Sequence, residues 1–285
     1  MDILSTIESK LPSLSKGQKR IGQYILDEFD KAAFMTAAAI GKAVQVSEST
    51  VVRFASELGY QGYPQMQKVL QEMLLNRLTN VQRIESEHIR LSEENVLALT
   101  LADDAERIRQ TRELIDHKNF DAAVDAISNA RKIFVLGVRS SSALAGFLAY
   151  YLRYIFDDIK LITSASTSVI LEELVRMGPQ DVLISISFPR YCRGVLQAQE
   201  YAKDIGACTI ALTDSGSSPL ALHADHLLVA KSDIISLVES LAAPMSVINA
   251  IIAALANKNR QKITQVLNKL EDLWDAYDIY EKFDE

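Results

Sequence analysis

Apolar residues recur every three or four positions over roughly the first 80 residues, whereas short uninterrupted apolar runs dominate after residue 130. The first pattern is typical of amphipathic helices, and we expect five of them, at about 3–11, 16–29, 39–44, 48–58 and 64–78. The second pattern predicts buried strands at 132–137, 159–163, 181–187, 208–213 and 226–230, separated mostly by helices. Such alternation predicts an α/β domain with a five-stranded parallel sheet covered by helices on both faces.

These patterns divide the chain of 285 residues into a helical part and an α/β part. We place an all-α domain at residues 1–80, a partly helical linker at 81–118 and the α/β domain at 119–285. The linker begins with a polar, charged stretch from Thr79 to Glu94 that shows no clear period. A helix is expected to follow at 97–115, and the last third, 237–255 and 258–278, is expected to be helical again.

Residues 36–54 read as a helix-turn-helix. A first helix ends near Val44, a short turn follows at Gln45 and Val46, and Ser47 stands at the N-cap of a second helix. Two short helices joined in this way can place polar and cationic side chains in the DNA major groove. An ordinary helical hairpin whose polar face meets only water would fit the same pattern. On the DNA-binding interpretation, the contacting residues are Lys42, Ser47, Glu48, Ser49, Thr50 and Arg53.

The net charge of −7 argues against nucleic acid until its distribution is considered. The first 80 residues carry nine Lys and Arg against eight Asp and Glu, whereas the remaining 205 carry 21 against 29. An acidic body with a locally basic head is compatible with DNA binding. Each basic residue, considered alone, would also fit a surface charge that only keeps the protein soluble. The candidates for phosphate contacts are Lys16, Lys19, Arg20, Lys42, Arg53 and Lys68.

Loops rich in hydroxyl groups follow the predicted strands. Ligands of open parallel sheets bind at the carboxyl ends of the strands, and amide groups at a helix N-terminus favour anions. The sequence 137–142, GVRSSS, joins the first strand to a helix, and 185–193, SISFPRYCR, follows the third. We therefore predict an anion site formed by Ser140, Ser141, Ser142, Ser185, Ser187, Arg190 and Arg193, with Glu239 orienting the ligand.

Several motifs resemble a known family. VSESTVVRF at 46–54 with the following LGYQGY, GVRSSS at 137–142 and TDSGSSPLALHADHLL at 213–228 are similar to motifs of the RpiR family of bacterial transcriptional regulators, with a C-terminal SIS (sugar isomerase) domain. The resemblance covers nearly the whole chain. It implies a regulator that binds operator DNA, a SIS domain that senses a phosphosugar or related anion and helps to dimerise, and no catalysis.

The chain departs from the family pattern at two places. Gly41 stands where the family usually has alanine, which should lower helix propensity by about 1 kcal/mol. The family's third-strand loop normally continues Ser-x-Ser-Gly-x-Thr, but here Phe188 and Pro189 replace the glycine region. Because glycine lets a backbone approach a phosphate, we expect Arg190 and Arg193 to compensate with bidentate contacts.

The alternative function is a sugar-phosphate isomerase with an accessory helical domain. Isomerisation needs a base and an acid beside the substrate, and the candidates are Glu172, Glu239, His223 and His226. Cys192, between Tyr191 and Arg193, is a redox-sensor candidate, although a structural cysteine is the favoured interpretation.

The composition sets the remaining expectations. Two cysteines without CxxC spacing predict neither a metal site nor a cofactor, and suit a reducing cytoplasm. No apolar run is long enough for a membrane span, and the N-terminus lacks a secretion signal. The expected partners are operator DNA, an anionic effector and further copies of the chain, as a dimer or tetramer.

Overall fold

The computed structural model describes residues 3–77, 95–232, 234–235 and 238–280. The chain forms two compact units, residues 1–86 and 87–285, which are described separately.

The first unit is helical. Its described part holds six helices and a 3₁₀ turn at Leu11–Ser13: α1 (Ile3–Lys10), α2 (Lys16–Asp27), α3 (Phe29–Ala32), α4 (Ala37–Ala43), α5 (Glu48–Glu57) and α6 (Tyr63–Arg77). The prediction of five helices in this unit was wrong, because its described part has six. The expected helix at 16–29 ends at Asp27, because Glu28 leaves the helical region with φ −123° and ψ 42°, and the short α3 follows.

Local signals position these helices. Ser15 begins α2 with a capping box, in which its side chain accepts from the Gln18 amide and the Gln18 side chain accepts from the Ser15 amide. The apolar faces of the helices meet in one core that includes Ile21, Ile25, Ile40, Phe54 and Leu70. Burial of these side chains fixes α5 against α2, α4 and α6.

The second unit contains the predicted five-stranded parallel sheet. Its strands are β1 (Ile133–Gly137), β2 (Ile159–Ile162), β3 (Val182–Ile186), β4 (Cys208–Thr213) and β5 (His226–Val229), in the order β2-β1-β3-β4-β5. Each neighbouring pair is parallel. The chain order reverses between β1 and β3, which is where open α/β sheets bind ligands.

Helices cover both faces of the sheet, as predicted. One face packs against α8 (His117–Asn129), α9 (Ser141–Leu152) and α12 (Ala242–Lys258), and the other against α10 (Thr167–Leu174) and α11 (Arg193–Asp204). Side chains alternate between the two cores along each strand, so that Ile184 and Ile186 face the first core and Leu183 the second.

Another helix of this unit, α7 (Val96–Leu114), packs against α12. Its Thr111 side chain accepts a hydrogen bond from the Lys231 amide at 2.9 Å, and its Asp104 accepts one from Ser240 Oγ at 2.5 Å. Residues 81–94 of the expected linker lie outside the described residues.

A short antiparallel ribbon, β6 (Ile234–Ile235) and β7 (Val238–Glu239), precedes α12. The prediction of a helix from residue 237 was wrong for Glu239, which lies in β7; Leu237 is outside the described residues. Pro244 explains the later start at Ala242, because proline is tolerated in the first turn of a helix but not in its interior.

The chain ends in α13 (Arg260–Ala276). None of the helices in the described part of the chain has the length and apolar content required to span a bilayer.

Candidate functional site

The turn between α4 and α5 is tightly packed. Gln45 adopts the left-handed conformation at φ 55°, and the Val46 amide donates to the Gly41 carbonyl at 2.8 Å. A Cβ atom at Gly41 would lie only 2.8 Å from the Val46 carbonyl oxygen. Gly41 is therefore more than a residue of low helix propensity, since the turn closes against the helix at a position where no side chain fits.

The second helix of the motif, α5, has a buried and an exposed face. Val51, Phe54 and Ala55 are buried, whereas Glu48, Ser49 and Arg53 are exposed. The apolar face is therefore fixed in the core while the polar face is presented outwards.

Hydroxyl groups cluster at the beginning of α5. Ser47 occupies the predicted N-cap position, but its Oγ lies 2.9 Å from Ser49 Oγ and 2.8 Å from Thr50 Oγ1 rather than capping a backbone amide. One turn further on, Arg53 Nε donates to the Ser49 carbonyl at 3.4 Å. The structure thus brings together four of the six residues predicted to contact DNA, and Glu48 adjoins them in sequence.

Basic residues of α2 flank this motif. Arg20 donates to the Gln45 carbonyl at 3.2 Å, directly on the turn. Lys16, Lys19 and Arg20 line one groove, and a Cβ at Gly17 would lie 3.6 Å from the Thr50 methyl group. Arg20 therefore lies on the turn that leads into α5, and Lys16 and Lys19 share its groove on α2. The remaining predicted phosphate contacts, Lys42 on α4 and Lys68 on α6, are exposed.

In the second unit, the loops after β1, β3 and β4 lie side by side, because these strands are neighbours in the sheet. The loop after β1 carries Arg139 at φ 55° and leads into α9. Ser142 Oγ donates to the Arg139 carbonyl at 2.6 Å, and Ser141 is buried in the first turn of α9.

Ser140 and Glu239 lie together. Ser140 Oγ is 3.5 Å from Glu239 Oε2, although the two residues are 99 positions apart in sequence. The β6–β7 ribbon therefore brings a carboxylate to the serine-rich loop. This juxtaposition joins two predicted ligand-binding positions.

Ser185 and Ser187 of β3 and its loop are both buried. Ser185 is fully buried, and its Oγ has no hydrogen-bonding partner in the part of the chain that the structure describes. Ser187 donates its amide to the Leu212 carbonyl at 3.2 Å and so extends the sheet. A buried hydroxyl without a partner is rare enough to require an explanation, and a role in ligand binding is one.

The loop after β3 contains a left-handed residue that is not glycine. Phe188 is buried in the core on the same side as Ile186, the side opposite to that of Leu183 and Ser185. Two residues later, Arg190 adopts φ 65°. Arg190 and Arg193, the two proposed compensating cations, are exposed, and Arg193 begins α11.

Tyr191 and Asp214 connect the loops after β3 and β4. Tyr191 Oη donates to Asp214 Oδ1 at 2.7 Å, and Thr213 Oγ1 donates to the same oxygen at 3.1 Å. No role was predicted for Tyr191, Asp214 or Arg139. For Arg139 the only local signal was its position in the GVRSSS loop.

Gly137 allows β1 and α9 to approach closely. A Cβ there would lie 2.6 Å from the Ser141 carbonyl oxygen and 2.8 Å from the Ala145 Cβ. The glycine therefore places the first turn of α9 directly above the end of β1.

The catalytic candidates are scattered. Thr209, near the amino end of β4, donates to the His223 carbonyl at 2.7 Å, and His226 is the first residue of β5. Both histidines therefore lie at the opposite edge of the sheet. Glu172 is exposed on α10, so that Glu239 is the one candidate placed beside the serine-rich loop.

The two cysteines lie in different surroundings. Cys192 is half-buried at the N-cap of α11 and packs against a core, and burial raises the pKa of the Cys208 thiol. Among the described residues, no cluster of His, Cys, Asp or Glu side chains has the geometry of a metal site.

Comparison with known proteins identifies both units. A model of the helix-turn-helix domain of the rpiR family matches residues 1–77, and a model of the SIS domain matches residues 126–254. An uncharacterised HTH-type transcriptional regulator of Haemophilus influenzae is 29% identical over 80% of this chain and 79% of its own. The regulator HexR of Pseudomonas aeruginosa is 27% identical over 77% of this chain and 75% of its own.

Solved structures give the same result. The sugar isomerase domain of an RpiR transcription factor from Sphaerobacter thermophilus covers 62% of this chain and 99% of its own, with 30% identity and a TM-score of 0.60. The match to the NanR protein of Vibrio vulnificus, complexed with ManNAc-6P, covers 97% of this chain and 99% of the NanR chain, with a TM-score of 0.59. At 20% identity this second likeness shows the shared fold.

A helix-turn-helix unit followed by a SIS unit defines a class of two-domain transcriptional regulators. The chain belongs to the RpiR family of such regulators, which confirms the resemblance found in its motifs.

Proposed function

We propose that this chain is a transcriptional regulator that binds operator DNA through α5 and whose SIS domain binds a phosphosugar or a similar anionic metabolite, which changes operator affinity. The observation that carries this proposal is the arrangement of α5. Its apolar face is buried, Ser49 and Arg53 are exposed, and Arg20 of α2 lies on the turn that leads into it. An ordinary helical hairpin would not require this combination.

The side chains proposed to contact DNA fall into two groups, those suited to bases and those suited to phosphates. Arg53, one turn into the helix, is suited to a bidentate contact with a guanine. Lys16, Lys19 and Arg20 are suited to phosphates, which supply affinity and salt dependence rather than sequence preference. The residues proposed to contact DNA remain Lys42, Ser47, Glu48, Ser49, Thr50 and Arg53.

On the effector side, the three adjacent strand-end loops offer hydroxyl groups, helix amides and arginines. Ser185 supplies a buried hydroxyl without a partner, and Glu239 beside Ser140 is suited to accept hydrogen bonds from sugar hydroxyls. Arg190 and Arg193 are suited to a phosphate or carboxylate. The phosphosugar class agrees with ManNAc-6P, the ligand of the NanR complex. The proposed effector positions remain Ser140, Ser141, Ser142, Ser185, Ser187, Arg190, Arg193 and Glu239.

On this proposal, the chain is a regulator and catalyses no reaction. Isomerisation requires an acid and a base on one substrate, and of the four candidates Glu239 alone lies beside the serine-rich loop. Curated relatives are named as transcriptional regulators, whereas solved neighbours include isomerases. Turnover of a phosphosugar by the purified protein would contradict this part of the proposal.

We further propose the organisation that these roles require. A DNA-binding domain at 1–80 is joined by a linker at 81–118 to the SIS domain at 119–285, and the chain acts in the cytoplasm. It acts as a homo-oligomer, a dimer or tetramer, because paired recognition helices must lie about 34 Å apart to enter successive turns of the major groove.

The test is a gel-shift titration on the DNA upstream of the gene at fixed salt, with and without a panel of phosphosugars. We expect tight binding that resists competitor DNA and that one sugar alters. Arg53→Ala should abolish specific binding, whereas the matched control Arg176→Ala, an exposed arginine of the SIS unit, should leave it unchanged. Equal binding by the two variants would refute the role of α5.

A further inference from the structure

Helix α7 is attached to its unit chiefly by polar contacts. Its two buried residues, Arg107 and Thr111, are polar, whereas every apolar side chain of the helix is exposed. In the part of the chain that the structure describes, no residue of α7 belongs to an apolar core. A helix at the surface of a domain is usually held by an apolar face that is removed from water. The attachment of α7 within this unit therefore depends on its hydrogen bonds.

The hydrogen bonds of α7 converge on residues 231–240, the segment that joins β5 to α12. At one end of the segment, the Lys231 amide donates to Thr111 Oγ1 at 2.9 Å. At the other end, Ser240 Oγ donates to Asp104 Oδ1 at 2.5 Å. Lys231 and Ser240 are both buried, and a bond to a carboxylate is stronger than one between neutral groups. Helix α7 is thus bonded to both ends of the segment.

The same segment brings Glu239 to the serine-rich loop. Glu239 directly precedes Ser240, and its Oε2 lies 3.5 Å from Ser140 Oγ. Ser232 Oγ donates to the Ser240 carbonyl at 3.0 Å, which closes the β6–β7 ribbon at its base. One planar peptide unit therefore separates the residue bonded to α7 from the residue beside the loop. A movement of Glu239 changes the position of Ser240, and with it the bond to Asp104.

We propose that Asp104 is a positioning residue of the effector site, which holds Glu239 through Ser240 and thereby couples that site to α7. A ligand shifts a conformational equilibrium only through contacts that differ between the two states. Glu239 provides such a contact when a sugar hydroxyl replaces Ser140 as its partner. In sequence, α7 stands between the helical unit and the sheet. The inference rests on the proposed function for the effector and for the purpose of the coupling.

A polar attachment suits such a movement. Hydrogen bonds that open at a surface are replaced by bonds to water, whereas an apolar face would lose its burial. The Asp104 side chain is 27% exposed, and Arg107 Nη1 lies 3.9 Å from its Oδ1. Water and Arg107 therefore stabilise the Asp104 carboxylate when its bond to Ser240 opens.

Hydrogen exchange of the full chain, without DNA or sugar, tests the attachment. In Ser240→Ala, the amides of α7 should exchange about threefold faster or more, because the bond to Asp104 is lost, and Asp104→Ala should have the same effect. The matched control is Ser246→Ala, whose side chain donates within α12 to the Ala242 carbonyl at 2.9 Å. That variant should leave exchange in α7 unchanged, and circular dichroism will show that all three remain folded. Equal exchange in α7 for Ser240→Ala and Ser246→Ala would overturn the proposal.

A double-mutant cycle tests the coupling. In the wild-type background, Glu239→Ala should accelerate exchange in α7 about twofold or more. In the Ser240→Ala background it should add nothing, because the connection to Asp104 is already broken. A purely structural role for Ser240 would instead give independent effects that add. Additive effects would therefore contradict coupling through Ser240.

Gel shifts on operator DNA separate the coupling from the proposed function. The probes are ManNAc-6P and the other members of the phosphosugar panel. At a saturating sugar concentration, Asp104→Ala should reduce the change in operator affinity about threefold or more, whereas weaker sugar binding alone would only raise the concentration required. A full response of Asp104→Ala at saturation would overturn the proposal. If no sugar altered operator binding by the wild type, the proposed effector class would fail, and the exchange experiments would still decide the coupling.

Discussion

Replacing Gly41 by alanine would place a methyl group 2.8 Å from the Val46 carbonyl oxygen and 3.4 Å from the Glu48 amide nitrogen. Both atoms belong to the backbone of the turn that leads into α5, so a flexible side chain cannot move aside to relieve the overlap. The turn itself must shift, and α5 must shift with it. Helix propensity acts in the opposite direction, since alanine is favoured over glycine within a helix by about 1 kcal/mol.

Overpacking costs about 1–3 kcal/mol, so we expect Gly41→Ala to destabilise the helical unit by about 1 kcal/mol after the propensity gain. Denaturant unfolding followed by circular dichroism measures this change. The matched control is Gly146→Ala in α9, where an added Cβ meets nothing within 4 Å. That variant should gain about 0.5–1 kcal/mol.

The same substitution should weaken operator binding more than its effect on stability explains, because it moves the start of α5. Gel shifts at a temperature where both variants are fully folded measure this second effect. If Gly41→Ala stabilised the protein as much as Gly146→Ala does and left operator affinity unchanged, the steric argument for the turn would be refuted.

Three further substitutions test other parts of the structure. Ser185→Ala should leave unfolding free energy unchanged or slightly higher, because it removes a buried hydroxyl without a partner, yet should abolish the effector's influence in gel shifts. Arg190→Gly should raise stability by up to about 1 kcal/mol, because it relieves the left-handed backbone, while effector affinity measured by calorimetry falls. Tyr63→Phe loses the 2.5 Å hydrogen bond to the Met35 carbonyl and should cost about 1 kcal/mol near neutral pH. Burial raises the pKa of Tyr63 from 10 to about 12. The protonated phenol therefore stabilises the fold fully below pH 10, and this stabilisation is lost as the pH rises towards 12. Urea unfolding measured between pH 10 and 12 should show a steeper loss of stability for the wild type than for Tyr63→Phe.

The order of elements was predictable because its signals are local. Ser15 with Gln18 forms the capping box that begins α2, and the apolar run at 181–187 contains β3. Hydrophobic periodicity and helix capping depend on residues that are close in sequence, so both can be recognised from a single sequence. The parallel sheet followed from the alternation of strands and helices.

Features that depend on distant contacts were not predictable. The pairing of β6 with β7 places Glu239 beside Ser140, but a helical pattern at 237–255 hid the ribbon. The short helix α3 also escaped, because the apolar spacing continues through Glu28 while the backbone does not. The residues of the candidate site, Glu239 included, were predictable from the sequence, whereas the ribbon that brings Glu239 to Ser140 was not.

Two of the loops that form the proposed effector site carry backbone strain at a residue other than glycine. Phe188 replaces the glycine region, yet its side chain is directed into the core on the face opposite to Ser185. Arg190 of the same loop adopts the left-handed conformation, and Arg139 on the neighbouring strand end adopts the same conformation. Non-glycine residues held in this region cost of order 1 kcal/mol each and tend to mark functional sites. Two such arginines on adjacent loops are consistent with the effector site proposed above, and an effector with a second anionic group beside the phosphate would give both arginines an anionic partner.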